Sequence, residues 1–313
     1  MNEDQAYPSS EATRDSRDRF PSASDGLTIV LPALNEESAV LPVVDELREA
    51  GYNRILLVNG HSVDRTVELA SQRGVRVITQ EGKGKVGAIR TAVRHVETPF
   101  LLIMDCDHTY DPRDIGRLVE GIGRYDLVIG SRSNGRSNIS MVNRLGNWVI
   151  TRAFNYLLGA DLQDVCSGMY LLKTERARNL ELTAGGFSVE ADIASQMLMQ
   201  GPVGQVPVSY RKRLGKAKLA RWRDGLGILR SVFVLAKRHN PMFLFFYLAM
   251  VAGVLSSSTL LWVVYENVFR GVWHSGYALF GGILLLASFQ SFSLAAFAVM
   301  LRRMERRIER RLG

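Results

Sequence analysis

The sequence predicts an α/β domain with a mostly parallel sheet, followed by an amphipathic helix and two membrane-spanning helices. Apolar strand patterns alternate with helical patterns between about residues 26 and 215. Two later stretches, 242–265 and 277–301, contain no Asp, Glu, Lys or Arg. Each exceeds the roughly 20 residues that a helix needs to cross a bilayer. Residues 1–25 are polar and lack an apolar signal-peptide core, so we expect a disordered tail there.

The strand and helix signals of the α/β part follow one another closely. Gly51 closes the first predicted helix, Ser62 or Asp64 caps the second, and Asp111 with Pro112 begins the fourth. Near-continuous apolar strands are typical of parallel sheets covered on both faces. We expect strands at 27–34, 54–60, 75–80, 100–105 and 126–132, and helices at 38–51, 62–74, 86–96 and 112–123.

Polar residues stand at the carboxyl ends of these strands, where parallel sheets bind ligands. Asn35, Asn59 and Arg132 do so, and "LLIMDCDHTYDP" (101–112) places Asp105 and Asp107 beyond the fourth strand. Two carboxylates at i and i+2 project to one side of an extended segment. They suit Mg²⁺ or Mn²⁺, which prefer oxygen ligands and share them with substrate phosphates. Such a pair also arises by chance or caps a helix, so the metal site is a hypothesis.

The charge pattern predicts the topology of the two spans. "AKRH" (236–239) precedes them, the linker "ENVFRGVWHSG" (266–276) is nearly neutral, and "RRMERRIERR" (302–311) follows. The positive-inside rule therefore puts the large N-terminal domain and both termini in the cytosol. The net charge of +8 then indicates a membrane surface, and no aromatic-basic interleaving indicates nucleic acid. The segment between the domain and the first span has apolar residues at helical spacing, which predicts an amphipathic helix in the interface.

Several other patterns have ordinary interpretations. Cys106 and Cys166 are the two cysteines; in a reducing cytosol we expect thiols rather than a disulfide. The loop "EGKGKVG" (81–87) is glycine-rich but lacks the spacing of an ATPase P-loop. Its glycines allow backbone amides to approach a phosphate, or they make a flexible surface loop. His61 and His108 are interpreted as loop histidines.

A set of motifs resembles the family 2 glycosyltransferases of the polyprenyl-phosphate branch, which includes dolichyl-phosphate mannose and glucose synthases. The chain is most similar to the archaeal dolichyl-phosphate hexosyltransferases that begin S-layer N-glycosylation. The resemblance spans about residues 28–240. Its motifs are "LPALNEE" (31–37), "LVNGHSVDRT" (57–66), "EGKGKVGAIRTA" (81–92), "MDCDHTYDP" (104–112), "NRLGNWVITRAFN" (143–155), "DVCSGMYLLK" (164–173), "GGFSVEADI" (185–193) and "VPVSYRKRLGKAKL" (206–219).

The resemblance implies a GT-A fold that binds a nucleotide sugar and Mg²⁺ or Mn²⁺ and transfers the sugar to a lipid phosphate with inversion. It assigns catalysis to Asp107, Asp164, Arg132 and Arg144, and the metal to Asp105 and Asp107. The donor residues are Pro32, Asn35, Glu36, Asn59, Asp64, Lys85, Asp105 and Asp107. The acceptor residues are Arg132, Arg144, Ser167, Glu190, Arg213 and Lys218. From the residues alone, Asp164 orients sugar hydroxyls, assists deprotonation or forms a turn before a glycine, and Glu190 alternatively lies on a solvated face.

Two positions depart from the family pattern. The family usually has Asp where Asn59 stands, and an amide both donates and accepts hydrogen bonds whereas a carboxylate only accepts. Mannose synthases often carry Gln where Thr109 stands. We therefore expect a UDP-hexose donor, UDP-glucose or UDP-N-acetylglucosamine, with GDP-mannose as the alternative.

The expected protein is a membrane-anchored hexosyltransferase that acts on dolichyl or another polyprenyl phosphate, for protein N-glycosylation or cell-surface glycan synthesis. The alternatives are a non-catalytic membrane scaffold that keeps the nucleotide-binding fold, and a phosphoryl-transfer or hydrolytic enzyme. A homo-oligomer is compatible with the sequence. The expected segments are a tail (1–25), a GT-A domain (26–217), an interfacial helix (218–241), a two-helix hairpin (242–301) and a basic cytosolic tail (302–313).

Overall fold

The computed structural model describes residues 26–182, 189–215 and 243–312. Several sequence predictions fall outside these ranges: the tail 1–25, the interfacial helix 218–241 with Lys218 and "AKRH", the first four residues of "GGFSVEADI", and the last four of "VPVSYRKRLGKAKL". Of the described residues, 26–148 and 162–215 form one compact unit, and 149–161 with 243–312 form a second.

The first unit contains a seven-stranded sheet in the order β3-β2-β1-β4-β6-β5-β7. Only β6, among the described strands, runs antiparallel to its neighbours β4 and β5. The mostly parallel sheet predicted from the sequence is therefore confirmed, and β6 and β7 were not among the predicted strands. The strands are β1 (Leu27–Ala33), β2 (Ile55–Asn59), β3 (Arg76–Thr79), β4 (Phe100–Met104), β5 (Leu127–Asn134), β6 (Met169–Lys173) and β7 (Val203–Ser209).

Helices connect these strands, with bounds near the predicted ones. The helix predicted at 62–74 begins only at Thr66. The helix predicted at 112–123 begins as a 3₁₀ turn, Pro112–Asp114, in which the Asp111 side chain accepts a hydrogen bond from Arg113 N, as expected for its cap. The helices are α1 (Val40–Glu49), α2 (Thr66–Gln72), α3 (Gly84–His95), α4 (Ile115–Gly121), α5 (Met141–Leu158), α6 (Thr174–Arg178), α7 (Val189–Gln200), α8 (Phe243–Arg270) and α9 (Ser275–Leu312), with a further 3₁₀ turn at Arg136–Asn138.

The core of the first unit lies between the sheet and its helices. All five residues of β2 are buried, as a central parallel strand requires. Helix α1 turns Val40, Val43, Val44 and Leu47 towards the sheet, a spacing that puts them on one helical face. Burying the apolar faces of strands and helices fixes the carboxyl ends of β1, β2 and β4 side by side, because these strands are neighbours and parallel.

The second unit contains two helices long and apolar enough to cross a membrane, at Phe245–Arg270 and Ser275–Ala298. They are joined by interhelical hydrogen bonds: Ser256 Oγ donates to the carbonyl of Gly281 and Ser288 Oγ to that of Ala249, each at 2.7 Å. Hydroxyl-to-carbonyl bonds of this kind hold helices together where no water competes. The two C-terminal helices therefore fit a membrane protein.

Candidate active site

Three non-glycine residues with left-handed backbone follow three adjacent parallel strands. Asn35 (φ 51°), His61 (φ 65°) and His108 (φ 65°) lie in the loops after β1, β2 and β4. Residues other than glycine rarely adopt this backbone conformation, and backbone strain of this kind is concentrated at functional sites. The strained loops therefore mark the carboxyl edge of the sheet as the candidate site.

The loops after β1 and β2 are joined by hydrogen bonds between side chains and backbone. Asn35 Oδ1 accepts from Val63 N at 2.8 Å, and Asn35 N donates to Ser62 Oγ at 3.0 Å. Asn59 Oδ1 accepts from Ser62 N at 2.9 Å. Asn59, which departs from the family pattern, thus stabilises the second loop through its carbonyl oxygen.

Asp64 and Glu36 complete this pair of loops. Asp64 accepts from the backbone N–H groups of Thr66 (3.0 Å) and Glu37 (3.2 Å) and from the Thr66 hydroxyl, whose oxygen accepts from Glu36 N at 2.8 Å. Burial raises the pKa of Asp64, but these hydrogen bonds outweigh it and lower the pKa below its usual value. Pro32 lies in β1 opposite Val58. The predicted donor residues of both loops are therefore brought together.

Asp105 is held by Lys85 and by a close approach of backbone. Lys85, in the first turn of α3, places its Nζ 2.5 Å from Asp105 Oδ1 and 2.6 Å from Glu190 Oε1. Burial lowers the pKa of Lys85, but the two carboxylates outweigh it and raise the pKa well above its usual value. A Cβ on Gly168 would lie 1.9 Å from Asp105 Oδ2. Glu190, predicted for the acceptor, is thus an ion-pair partner of Lys85.

Asp107 is oriented by Thr109 and faces an arginine. Its Oδ1 accepts from Thr109 Oγ1 at 2.6 Å, and its Oδ2 lies 3.3 Å from Arg213 Nη1. Arg213 also donates from Nη2 to Glu36 Oε1 at 2.5 Å. Burial and the neighbouring charge of Asp105 raise the pKa of Asp107. Two acidic residues of the strand ends thus share one cation.

Arg132 and Asp164 form a second charged pair at the same edge. Arg132 Nε donates to Asp164 Oδ2 at 2.6 Å, and Nη2 donates to Oδ1 at 2.7 Å. The Arg132 guanidinium lies 5.4 Å from the ring centre of Tyr210. With the Asn147 amide turned so that its oxygen faces Arg132, that oxygen accepts from Nη2 at 2.9 Å.

A buried hydroxyl network next to this pair contains Ser167, which was predicted for the acceptor, and Tyr110, which was not predicted as a site residue. Ser167 Oγ donates to the carbonyl of Gly130 and lies 3.2 Å from Tyr110 Oη, which accepts from Gly168 N at 2.7 Å. Burial raises the pKa of Tyr110, which keeps it protonated. Ser167 is fully buried. Tyr110, the tyrosine of the motif "MDCDHTYDP", is the residue from which the sequence could have indicated this network.

Arg211 is a second residue of the site that the sequence analysis did not predict. Its guanidinium pairs with Glu46 Oε2 (2.7 Å) and Asp111 Oδ2 (2.6 Å), and Glu46 Oε1 lies 2.9 Å from His108 Nε2. The backbone of Arg211 donates to Thr109 O at 2.7 Å. His108 is therefore hydrogen-bonded, as interpreted from the sequence. Arg211 joins helix α1 to the loop of the paired carboxylates.

The remaining residues that the sequence analysis singled out take no part in the ion pairs described above. Arg144 is exposed, and its side chain forms no ion pair with any residue in the described ranges. His61 is exposed as well. Cys106 is buried and Cys166 is partly buried. Within residues 26–182, 189–215 and 243–312, no group of three or more His, Cys, Asp or Glu side chains is arranged to hold a metal.

Comparison with known proteins agrees with this geometry. The profile described as Glycosyl transferase family 2 matches residues 28–175. The glycosyltransferase AglJ of Haloferax volcanii is 33% identical over 80% of this chain and 85% of its own length. The dolichyl-phosphate hexose transferase of the same organism is 33% identical over 66% and 92%, respectively. The dodecaprenyl-phosphate galacturonate synthase of Rhizobium johnstonii is 22% identical over 90% and 89%.

A solved structure shows the same fold. Glucosyl-3-phosphoglycerate synthase from Mycobacterium tuberculosis, in complex with Mn²⁺, UDP-glucose and phosphoglyceric acid, superposes with a TM-score of 0.56 at 23% identity, covering 69% of this chain and 81% of that one. The fold is that of the GT-A glycosyltransferases, as the resemblance implied. The chain belongs to glycosyl transferase family 2 and is a glycosyltransferase.

Proposed function

We propose that this protein is a metal-dependent inverting glycosyltransferase that moves a hexose from a nucleotide sugar to dolichyl or another polyprenyl phosphate at the cytosolic face of the membrane. The observation that carries the proposal is the position of Asp105 and Asp107 beyond β4, with Asp107 joined through Arg213 to Glu36 of the first donor loop. The names of two relatives, a dolichyl-phosphate hexose transferase and a dodecaprenyl-phosphate galacturonate synthase, support a lipid-phosphate acceptor.

The paired carboxylates fit a hard divalent cation. Asp107 Oδ2 already faces a positive group, the Arg213 guanidinium, and Asp105 Oδ2 lies on the side of Gly168. With two protein carboxylates, Mg²⁺ or Mn²⁺ takes its other ligands from donor phosphates and water, as is usual for Mg²⁺. When bound, the metal offsets the charge that develops on the leaving diphosphate.

The donor occupies the loops after β1 and β2 in this proposal. Pro32, Asn35, Glu36, Asn59 and Asp64 surround it, and Lys85 supplies a nearby cation. We prefer a UDP-hexose, because Thr109 replaces the Gln common in mannose synthases and because the structural neighbour is described with UDP-glucose. GDP-mannose is the alternative donor.

The acceptor phosphate lies near Arg132 and Arg144 in this proposal. Asp164 holds Nε and Nη2 of Arg132, and Nη1 donates no hydrogen bond to any residue that the structure describes. A phosphate monoester has a second pKa of roughly 6 and is ionised at neutral pH, so its oxygen attacks without a strong general base. Asp164, with both oxygens bound by Arg132, then acts as a positioning residue.

The hairpin α8–α9 anchors the enzyme in the bilayer, with the basic segments 236–239 and 302–311 in the cytosol. In this orientation the N-terminal domain and the lipid phosphate lie on the same side of the membrane.

The test offers membranes containing the protein a panel of labelled nucleotide sugars, UDP-glucose, UDP-N-acetylglucosamine and GDP-mannose, with dolichyl phosphate. We expect label from one UDP-sugar in the lipid fraction, with Mn²⁺ or Mg²⁺ required. Membranes carrying the Asp107→Asn variant are the control. Label from GDP-mannose alone supports the alternative donor, and no lipid label from any donor contradicts the proposal.

A further inference from the structure

A cavity of about 430 Å³ lies between helices α3 and α6. This volume falls within the roughly 300–1,000 Å³ of small-molecule sites. The α3 wall of the cavity, from Arg90 to Arg94, lies about 8–14 Å further along the helix axis than Lys85. None of the described residues that line the cavity belongs to the donor, acceptor or metal sets. The cavity is therefore distinct from the candidate active site.

The charged residues of the described lining are mostly cations: Arg90, Arg94, Arg178 and Glu181. Arg90 and Arg178 form no ion pair within the described ranges. Arg94 pairs with Glu81, but both side chains are more than half exposed, so this pair contributes little. Cations that lack a counter-ion and share a concave surface attract anions. The lining therefore favours a negatively charged ligand.

Two of the guanidiniums are held in place by backbone carbonyls. Arg90 Nη2 donates to Leu182 O at 2.7 Å, and Arg178 Nη2 donates to Val96 O at 3.1 Å. Each of these bonds uses one of the five N–H donors of a guanidinium. A guanidinium whose plane is fixed in this way binds phosphate oxygens through paired hydrogen bonds. A phosphate group is therefore the anion that the cavity fits.

The least exposed part of the lining is apolar. Val93, Ala177 and Leu182 are buried, and Leu180 also lines the cavity. An inorganic anion leaves this surface in contact with water, whereas an apolar group of a ligand gains free energy by covering it. The lining thus fits a phosphate that carries an apolar group better than it fits phosphate alone.

We propose that this cavity is a second ligand site, which binds a phosphate ester. Arg90 and Arg178 hold the phosphate. The apolar part of the ester lies on Val93, Ala177 and Leu182. A soluble metabolite and the headgroup of a membrane phospholipid both offer this chemistry. The site goes beyond the proposed transfer reaction and does not depend on its donor, metal or acceptor.

The experiment uses the full-length protein in detergent at constant ionic strength. The probes are phenyl phosphate for a soluble ester and dihexanoyl phosphatidic acid for a lipid headgroup, with inorganic phosphate as the reference. The affinity is obtained from the protection of backbone amides 90–96 and 177–182 in hydrogen exchange, so binding at the acceptor site is not counted. We expect at least one ester to bind more tightly than inorganic phosphate, and the tighter ester identifies the source of the ligand.

Two substitutions test the guanidiniums. Arg90→Gln and Arg178→Gln are each expected to lower the affinity for the tighter ester about tenfold, the size expected for one charge-assisted hydrogen bond. Arg124→Gln, which removes an exposed arginine outside the lining, is the control for charge and should match the wild type.

Three results overturn the inference. Protection that is absent from the cavity, or confined to the residues around Arg132 and Arg144, would place the esters at the acceptor site only. Equal affinities for the esters and inorganic phosphate would show that the apolar lining takes no part. Cavity protection that both Gln variants retain in full would show an adventitious contact. Each result leaves the proposed transfer to a lipid phosphate untouched, and the wild-type comparison decides the matter should a variant unfold.

Discussion

Arg132 and Asp164 form a bidentate ion pair in which both side chains are only 9% exposed. The backbone N–H of Arg132 donates to the same carboxylate at 3.2 Å, so Asp164 accepts three hydrogen bonds from one residue. These bonds hold the carboxylate and the guanidinium in one fixed orientation. The pair therefore positions the guanidinium at the end of β5.

Breaking this pair is expected to cost stability as well as transfer. Asp164→Asn leaves a buried guanidinium without its counter-ion, which destabilises a fold by about 3–5 kcal/mol. The double variant Arg132→Met with Asp164→Leu is expected to regain most of the stability and none of the transfer. Thermal unfolding in detergent and the lipid-labelling assay measure the two effects. Transfer regained in the double variant would show that the pair is structural only.

Asp107→Asn is expected to lower transfer at least a hundredfold while the fold persists, because a metal ligand loses its charge. Mn²⁺ binding, followed by electron paramagnetic resonance, should fall with it. Asp161→Asn, at an exposed acidic residue, is the matched control and should match the wild type. Full turnover of Asp107→Asn with EDTA present would contradict the metal assignment.

Two glycines provide a matched test of the Asp105 position. Gly168→Ala places a Cβ 1.9 Å from Asp105 Oδ2 and 2.5 Å from its Cγ, whereas Gly116→Ala, on α4, meets nothing within 4 Å. We expect Gly168→Ala to lower transfer at least about tenfold by shifting the carboxylate. Gly116→Ala should keep full transfer and gain about 0.4–1 kcal/mol of stability. Equal transfer rates in both variants would show that the position of Asp105 is unimportant.

Arg144→Ala is expected to leave stability unchanged, since the residue is exposed. If it binds the acceptor phosphate, the KM for dolichyl phosphate should rise about ten- to a hundredfold, the range for a charge-assisted hydrogen bond. Arg144→Lys should raise this KM by a smaller factor, because lysine keeps the positive charge but lacks the paired donors of the guanidinium. Arg136→Ala, at another exposed arginine before α5, controls for charge. A change in the KM for the nucleotide sugar instead would assign Arg144 to the donor.

The lowered pKa of Asp111 predicts that the free energy of unfolding depends on pH. Hydrogen bonds from Arg113, in side chain and backbone, and from Arg211 lower the pKa of Asp111 well below its usual value despite burial. A depressed folded pKa stabilises the protein above the unfolded pKa of about 3.9 and loses this effect as pH falls further. Asp111→Asn should therefore lower stability at pH 7 by about 1–3 kcal/mol and approach the wild type as the pH falls below about 4.

Unfolding curves at pH 7, 5 and 3 measure this convergence. Asp45→Asn, which removes a more exposed ion pair with Arg73, should change stability by less than about 1 kcal/mol at any pH. A constant deficit for Asp111→Asn across the pH range would contradict the electrostatic account.

The sequence predicted those parts of the fold that depend on local patterns. Apolar runs located β1 to β5, and the ends of these strands located Asn35, Asn59, Asp105 and Arg132. The residues of β6, "MYLLK", have the apolar pattern of a buried strand, but its antiparallel direction depends on partners distant in sequence and had no local signal. For the same reason the pairing of Lys85 with Glu190, 105 residues apart, had no local signal.

Some helix boundaries also differed for a physical reason. Ser62 or Asp64 was expected to cap the second helix, yet α2 begins at Thr66 with Arg65 in the cap position and no cap bond from the Arg65 side chain. Asn35 and Asp64 instead hold the neighbouring loop through Val63 N and Glu37 N. Capping residues and loop-binding residues are the same types, so composition alone does not separate these roles.

The strand order has a consequence for synthesis on the ribosome. Strands β1 to β4 are adjacent in the sheet and continuous in the chain, so they can assemble as soon as they emerge. Strand β5 joins this nascent sheet only through β6, which is translated after the intervening helix α5. The edge of β4 therefore stays unpaired until residue 173 has left the exit tunnel, and a chaperone or the membrane surface has its best opportunity to bind there.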